Sequence, residues 1–215
     1  MKTVKIALLD YGVGNLFSVA NALRAVGADV VITQNLTDIQ AADKILLPGV
    51  GAIKDAMHHM QKAAIDIAVK DALQNKPVMA ICVGMQAMFD YSTEGGHVDC
   101  LGIISGSVQK FDETWLENGQ PIKIPHVGWN KVTMDSNHHL WQNCKNEYFY
   151  FTHSYYCKPD MTNQNNHNLI VADCDYGQKF CASVIKENLF ATQFHPEKSH
   201  KAGLCLLNNF ITWNP

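Results

Sequence analysis

Residues 77–89 read PVMAICVGMQAMF, and the way this run breaks decides what kind of fold the chain has. The segment 78–82 is continuously apolar, as expected of a strand buried on both faces in a parallel sheet. It stops at Cys82 and Gly84, and from about residue 84 the apolar residues take up the spacing of a helix. A strand that turns directly into a helix is the repeating half-unit of an α/β fold. Met85 and Met88 read as ordinary core side chains. The corner carries a thiol, for which two readings stand. Free cysteine is among the most often buried residue types, and a strand-to-helix turn is also where a nucleophile sits.

The rest of the first half repeats the same alternation. It predicts strands over 4–9, 28–33 and 44–47, a glycine-containing turn over 10–14, and a helix over 16–26. After 48-PGVGA-52 it predicts one long helix with Ile53, Ala56, Met57, Met60, Ala64 and Ile67 on a single face. Such alternation implies right-handed crossovers and parallel pairing. The second half changes to short strand-like runs between polar turns, over 102–111, 123–132, 147–157, 169–174 and 181–193, which reads as antiparallel. Ser199 is expected to cap a final helix through Trp213, with Leu204, Leu207 and Phe210 inward. With no repeat or linker, residues 1–215 are expected to form a single α/β domain: a mostly parallel central sheet flanked by helices, with antiparallel additions late in the chain.

Composition removes several function classes. The chain is 47% hydrophobic and 17% charged, with a net charge of −3. Lacking a basic excess, it is not expected to bind nucleic acid. No uncharged apolar stretch approaches the ~20 residues that span a bilayer. The opening MKTVKIALLDYG reaches Asp10 and Tyr11 at once, so it reads as a first strand and not as a signal peptide. The seven cysteines are odd in number, scattered and without a C-x-x-C pair. That argues against a disulfide framework or a structural zinc site and for a reducing cytoplasm. The histidine pairs His58-His59 and His138-His139 are adjacent residues that point in different directions, so neither a metal nor any other cofactor is expected.

In a parallel sheet, ligands bind at the carboxyl ends of the strands. Three glycine-containing loops fall there: 10-DYGVGN-15, 48-PGVGA-52 and the Cys82 corner. None matches a dinucleotide or phosphate-binding loop. The corner 80-AICVG-84 parallels the G-x-S-x-G nucleophile elbow, with Cys for Ser and Ala80 in place of the first glycine. Unpaired N–H groups at a helix start favour a thiolate, and the Val83 N–H points where an oxyanion would form. The second motif, 190-FATQFHPEKS-199, tips the balance toward chemistry. In extended chain, residues two apart share a face, and Pro196 favours extension at His195. Glu197 can then orient the His195 ring, and His195 can serve Cys82 as general base and the leaving group as general acid.

PGVG, AICVGMQ and QFHPEKS, in that order and spacing, closely resemble the class I (triad-type) glutamine amidotransferases, and the resemblance covers essentially the whole chain. It implies the fold of that class and hydrolysis of the glutamine side-chain amide through a γ-glutamyl thioester. Carried across by position, Cys82 is the nucleophile, His195 the acid/base and Glu197 its orienting carboxylate. Val83 N–H and a backbone N–H of the Gly49-Val50-Gly51 loop (Val50 or Gly51) are the expected oxyanion donors. Gly49, Gln86, Ser154 and Tyr155 fall at glutamine-binding positions. Ala80 and Val83 depart from the usual Gly and Leu, but both roles there are backbone roles.

The segments 123-KIPHVGWN-130 and 149-FYFTHSYY-156, with DYGVGN, look like the histidine-pathway branch of the class, the glutaminase subunits of imidazole glycerol phosphate synthases. On residue type alone, Trp129 reads as a core aromatic and Asn15 as a turn residue. The resemblance instead places Tyr11, Asn15, Trp129 and Lys198 toward a partner, a (β/α)₈-barrel cyclase subunit that completes a heterodimer and receives the ammonia. Three alternatives stand beside this. A paralogue would supply ammonia for a surface-polysaccharide amino sugar; a free-standing cysteine hydrolase would need no partner; a non-catalytic module would be expected to have lost part of the triad.

Overall fold

The computed structural model describes residues 3–134, 137–145 and 147–215; Met1 and Lys2 of the expected first segment lie outside the described residues. The first half runs β1 (Lys5–Leu9), α1 (Leu16–Ala25), β2 (Asp29–Thr33), α2 (Leu36–Ala41), β3 (Lys44–Leu47), α3 (Ile53–Lys62), α4 (Ile65–Ala72), β4 (Val78–Ile81) and α5 (Val83–Gln86). Next come β5 (Phe89–Ser92), β6 (Val98–Asp99), β7 (Ile104–Lys110), β8 (Leu116–Glu117), β9 (Gln120–Pro121) and β10 (His126–Thr133). The last third holds β11 (Tyr148–His153), β12 (Tyr155–Pro159), β13 (Ile170–Tyr176), β14 (Gln178–Lys186), β15 (Leu189–Thr192) and α6 (His200–Thr212).

The strands order as β2-β1-β3-β4-β15-β14-β12-β7-β5-β6, with β13 also on β14 and a β10–β11 arm on β13. From β2 to β15 all pairing is parallel. Beyond β15 it is antiparallel except for β5 with β7. Every residue of β3, β4 and β15 is buried, because helices cover both faces of the parallel part. The carboxyl ends of β1, β3, β4 and β15 therefore lie side by side. The loops after them carry DYGVGN, PGVGA, Cys82 and QFHPEKS.

Several elements differ from the sequence expectation. The long helix after PGVGA is two helices, because Ala64 takes a left-handed φ of 53°. The restart resets the phase, so Ile65, Ala68, Val69 and Ala72 are buried in α4 while Ile67 is 66% exposed. The helix after Cys82 is a single turn, and Phe89 already begins a strand. So short a helix has little macrodipole to offer a thiolate. The run 181–193 is split at a turn into β14 and the parallel β15, and 147–157 is split at Ser154 into β11 and β12. The short α2 leaves no sequence signal: six residues are too few for a periodic pattern, and Asn35 caps it through a hydrogen bond from Thr37 N. On α6, Leu206, Leu207 and Phe210 face the core while Leu204 is 38% exposed. Ser199 occupies its N-cap position, but its hydroxyl bonds elsewhere.

Candidate active site

At the end of β4 the backbone turns sharply. Cys82 N donates to Thr192 O of β15 at 2.7 Å, which pins the corner to the neighbouring strand. Cys82 itself sits at φ 56°, ψ −110°, a backbone state that costs a non-glycine residue about 1–3 kcal/mol and clusters at functional sites. The turn is made possible by two glycines in contact. A Cβ on Gly84 would lie 2.5 Å from Leu47 O, and one on Gly49 would lie 2.6 Å from Gly84 N and 2.9 Å from Val83 Cβ. The PGVG loop after β3 thus rests directly on the nucleophile turn. Tyr11 locks it from beneath, its hydroxyl donating to Pro48 O at 2.5 Å. Burial, and secondarily the charge of Cys82, pushes the Tyr11 phenol well above its ordinary pKa, so it remains a donor. Gly49→Ala drives its methyl into the Gly84 backbone and Val83 Cβ and is expected to destabilise by about 1–3 kcal/mol and to reduce turnover sharply; urea unfolding read beside activity measures both.

A cavity of about 310 Å³ opens over this corner, lined by Val50, Gly51, Cys82, Val83, Gln86 and Glu94 on one side and by Pro125, Thr152, His153, Ser154, Tyr155 and His195 on the other. Val83 N–H belongs to the first turn of α5, whose N–H groups have no intrahelical partner. Glu94 Oε2 accepts from Ile53 N at 2.9 Å, capping α3 just after the PGVGA loop. Both amide hydrogens of Gln86 are bound within the protein, at 3.1 Å to Tyr155 O and 3.1 Å to Gln193 Oε1.

His195 comes just after β15 and is clamped by its own backbone. Its N–H donates to Tyr150 O at 2.9 Å, and its carbonyl accepts from Ser199 Oγ at 2.6 Å. That hydroxyl in turn accepts from Tyr150 N at 3.0 Å. Gly203 lets α6 settle on the carbonyl of Pro196, where a Cβ would collide. His195 is extended, yet Pro196–Lys198 forms a 3₁₀ turn and not a continued strand. Through that turn Glu197 Oε1 reaches His195 Nδ1 at 2.9 Å, both side chains being 2% exposed. Burial alone would lower the imidazole pKa, but the Cys82 thiol and the Glu197 carboxylate reverse this and raise it to about 10. Among the described residues His195 Nε2 has no hydrogen-bond partner, so the reactive nitrogen is left to face the cavity and the thiol.

A second histidine pair supports the far wall. His153 Nδ1 lies 2.7 Å from Tyr155 O and its Nε2 lies 3.1 Å from His126 Nδ1. Burial lowers the pKa of His126 to about 4; burial, and then His126, lowers that of His153 to about 3. With both rings neutral, the carbonyl requires Nδ1–H on His153, and His126 must donate to its Nε2.

The residues read from the sequence are therefore distributed unevenly. Cys82, Val83, Val50, Gly51, Gln86, Ser154, Tyr155 and His195 share one cavity, with Glu197 behind His195. Gly49 lies behind the wall and not on it, because its place is taken up by contact with Gly84. Tyr11 is buried at 3% exposure and is not a surface residue, so any influence on a partner passes through Pro48. Asn15 is exposed and caps α1, accepting from Ser18 N at 3.3 Å. Trp129 is 40% exposed and stacks on His200 with centroids 4.9 Å apart. Lys198 is exposed, its Nζ 5.7 Å from the Tyr150 ring centroid. Sequence reading missed Glu94, Gln193 and the His126–His153 pair. Gln193 and both histidines lie inside the quoted motifs, but nothing in a linear pattern tells a buried polar side chain from a solvated one.

Comparison with known proteins places the chain as a whole. The family model described as glutamine amidotransferase class-I matches residues 7–213. The imidazole glycerol phosphate synthase subunit HisH of Acinetobacter baylyi is 52% identical over 212 residues, covering 98% of each chain. That of Nitrosococcus oceani is 45% identical, covering 97% of each. Among solved structures, PurLQS from Thermotoga maritima superposes with a TM-score of 0.70 at 16% identity, covering 98% of this chain and 99% of that one. The glutaminase domain of Trypanosoma brucei CTPS, with bound acivicin, gives 0.65 at 16% identity, covering 99% and 96%; at such identities the likeness is one of fold. A cysteine at a strained strand end and a histidine–glutamate pair from the adjacent parallel strand, within a match spanning nearly the whole sequence, place this chain in the class I glutamine amidotransferase family, among relatives of the HisH subunits.

Proposed function

We propose that this chain is the glutaminase subunit of an imidazole glycerol phosphate synthase: it hydrolyses L-glutamine to glutamate and ammonia at Cys82 and passes the ammonia to a partner cyclase subunit. The observation that carries the reading is the shared cavity of Cys82 and His195, with Glu197 held 2.9 Å behind the imidazole, in a chain about half identical to a HisH subunit. Cys82 Sγ attacks the side-chain amide carbon. The oxyanion forms against Val83 N–H and a backbone N–H of Val50 or Gly51, each such donor contributing roughly 3 kcal/mol to the barrier reduction. His195 Nε2–H protonates the departing nitrogen, leaving a γ-glutamyl thioester. Water, deprotonated by the same nitrogen, then releases glutamate. Gln86 and the Ser154–Tyr155 backbone hold the substrate. Glu94, the carboxylate in the cavity wall, suits the substrate ammonium.

Residues 1–215 act as one amidotransferase domain in the cytoplasm on this reading, and no cofactor takes part. Ammonia is mostly protonated in neutral water and then not nucleophilic, so the acceptor site must be reached by a sheltered route. A (β/α)₈-barrel cyclase docked near Asn15, Trp129 and Lys198 meets that need, with Tyr11 linking that side to the PGVG loop. Isolated chain is expected to show very low glutaminase activity that rises on adding the barrel subunit and its nucleotide ligand, as measured by glutamate release. Full activity alone, unchanged by the partner, would count against the coupling.

A further inference from the structure

Gln193 contacts the nucleophile and so far has no part in the mechanism. It directly succeeds β15, its side chain completely buried, and its backbone N–H is bound to Ala182 O at 2.8 Å. Its carboxamide is oriented by its partners. Oε1 accepts from Gln86 Nε2 at 3.1 Å and faces the Cys157 thiol at 3.9 Å. Both neighbours are donors, so the other end of the amide must be the nitrogen, and Nε2 lies 3.7 Å from Cys82 Sγ. Beside His195, which also acts on the sulfur, this gives Cys82 Sγ a second, fixed donor. A rigid, desolvated N–H beside a sulfur distinguishes sharply between its states: a thiolate accepts strongly, a thiol or thioester sulfur weakly.

Building on the glutaminase reading above, we infer that Gln193 is a further catalytic residue, a thiolate-stabilising donor that acts twice in each turnover. Before substrate attack it holds Cys82 as thiolate, the proton residing on His195. During thioester hydrolysis, water oxygen forms the new C–O bond and its proton passes to His195. When the tetrahedral intermediate collapses, the C–S bond breaks and its electron pair returns to sulfur, where the Gln193 N–H receives the charge. The same carboxamide joins sulfur to the substrate wall, since Gln86 bonds both Gln193 Oε1 and Tyr155 O. The Tyr155 carbonyl and the nucleophile are thereby joined through two amides.

Two variants separate the donor from the scaffold. Gln193→Glu keeps the acceptor for Gln86 and Cys157 and replaces only the N–H donor; as a carboxylate it repels the thiolate, and as an acid it hands sulfur a proton. Gln193→Met removes donor and acceptor at nearly constant volume. The measurement is iodoacetamide alkylation of Cys82 across pH, with peptide mass mapping so that the other six cysteines are read separately, alongside kcat and KM with the barrel partner. The expected result is alkylation at neutral pH at least about tenfold slower in either folded variant, a profile displaced to higher pH, and a loss in kcat that exceeds any change in KM. Wild-type alkylation rate and profile in either folded variant would overturn the assignment. Absence of glutamine hydrolysis by the wild-type complex would instead refute the functional reading, while the alkylation comparison still decides whether the N–H holds the thiolate.

Discussion

Cys82→Ala is expected to abolish glutamine-dependent turnover, by about 10⁴-fold or more, the scale seen when the nucleophile of a catalytic triad is removed. The loss should be confined to hydrolysis. The acceptor chemistry is assigned to the partner, so the complex carrying Cys82→Ala should still react when ammonium salts are supplied at raised pH. Folding should survive, since a single sulfur atom is lost and the backbone N–H at position 82 still donates to Thr192 O. The measurement is synthase activity with glutamine and, separately, with ammonia. Retained glutamine-dependent activity would remove Cys82 from the mechanism; loss of both activities with an intact complex would mean that the corner serves more than the glutaminase.

A comparably large effect is expected for Glu197→Gln, a drop in kcat of roughly 10³- to 10⁴-fold by analogy with neutralising the orienting carboxylate of a triad. Its signature lies in pH dependence. In the native protein the imidazolium of His195 persists to about pH 10, supported by the Cys82 thiol and by Glu197 against the opposing effect of burial. On the mechanism proposed, His195 donates a proton to the leaving nitrogen, so the alkaline limb of kcat is expected to report this group. Without the Glu197 charge that limb should move toward lower pH. Stability should change with a definite sign. A histidine whose pKa is higher in the folded state than its ordinary ~6.5 contributes stability that is complete below that pH and lost as pH rises toward 10. The stability advantage of wild type over Glu197→Gln should therefore be greatest in mildly acidic buffer and shrink with rising pH, as chemical unfolding at several pH values would show.

The parallel core is readable from sequence because its signals are local. The apolar runs at 45–47 and 78–81 are short and continuous, as strands covered on both sides are, and glycine-containing loops mark their ends. The family resemblance supplies roles for Asn15 and Trp129 that residue type alone does not. Three-dimensional crowding is invisible in the sequence. Ala64 breaks a helix although nothing in its chemistry announces it, and the consequence is an exposed Ile67 where the periodicity predicts a core residue. The one-turn α5 ends at Gln86 because Phe89 is claimed by β7, with which it pairs through Ile104; pairing with a distant strand outweighs local helical spacing. The same holds at the active site. Cys82, His195 and Glu197 stand in recognisable motifs, whereas Gln193 and Glu94 acquire their significance from what they touch, 111 and 41 residues away in sequence respectively. Extended alternation predicts the His195–Glu197 contact, yet it is made across a 3₁₀ turn that Gly203 and Ser199 hold in place.

On the mechanism proposed, glutamine hydrolysis passes through a covalent intermediate on one particular sulfur. That intermediate can be sought by acid-quenching the wild-type complex during steady-state turnover of glutamine, digesting it and weighing the peptides. A γ-glutamyl group is expected on the peptide bearing Cys82. It should disappear in Cys82→Ala, and the peptides of the other six cysteines should carry none. Turnover at the wild-type rate with no adduct at Cys82, or with the adduct on a different cysteine, would refute the mechanism.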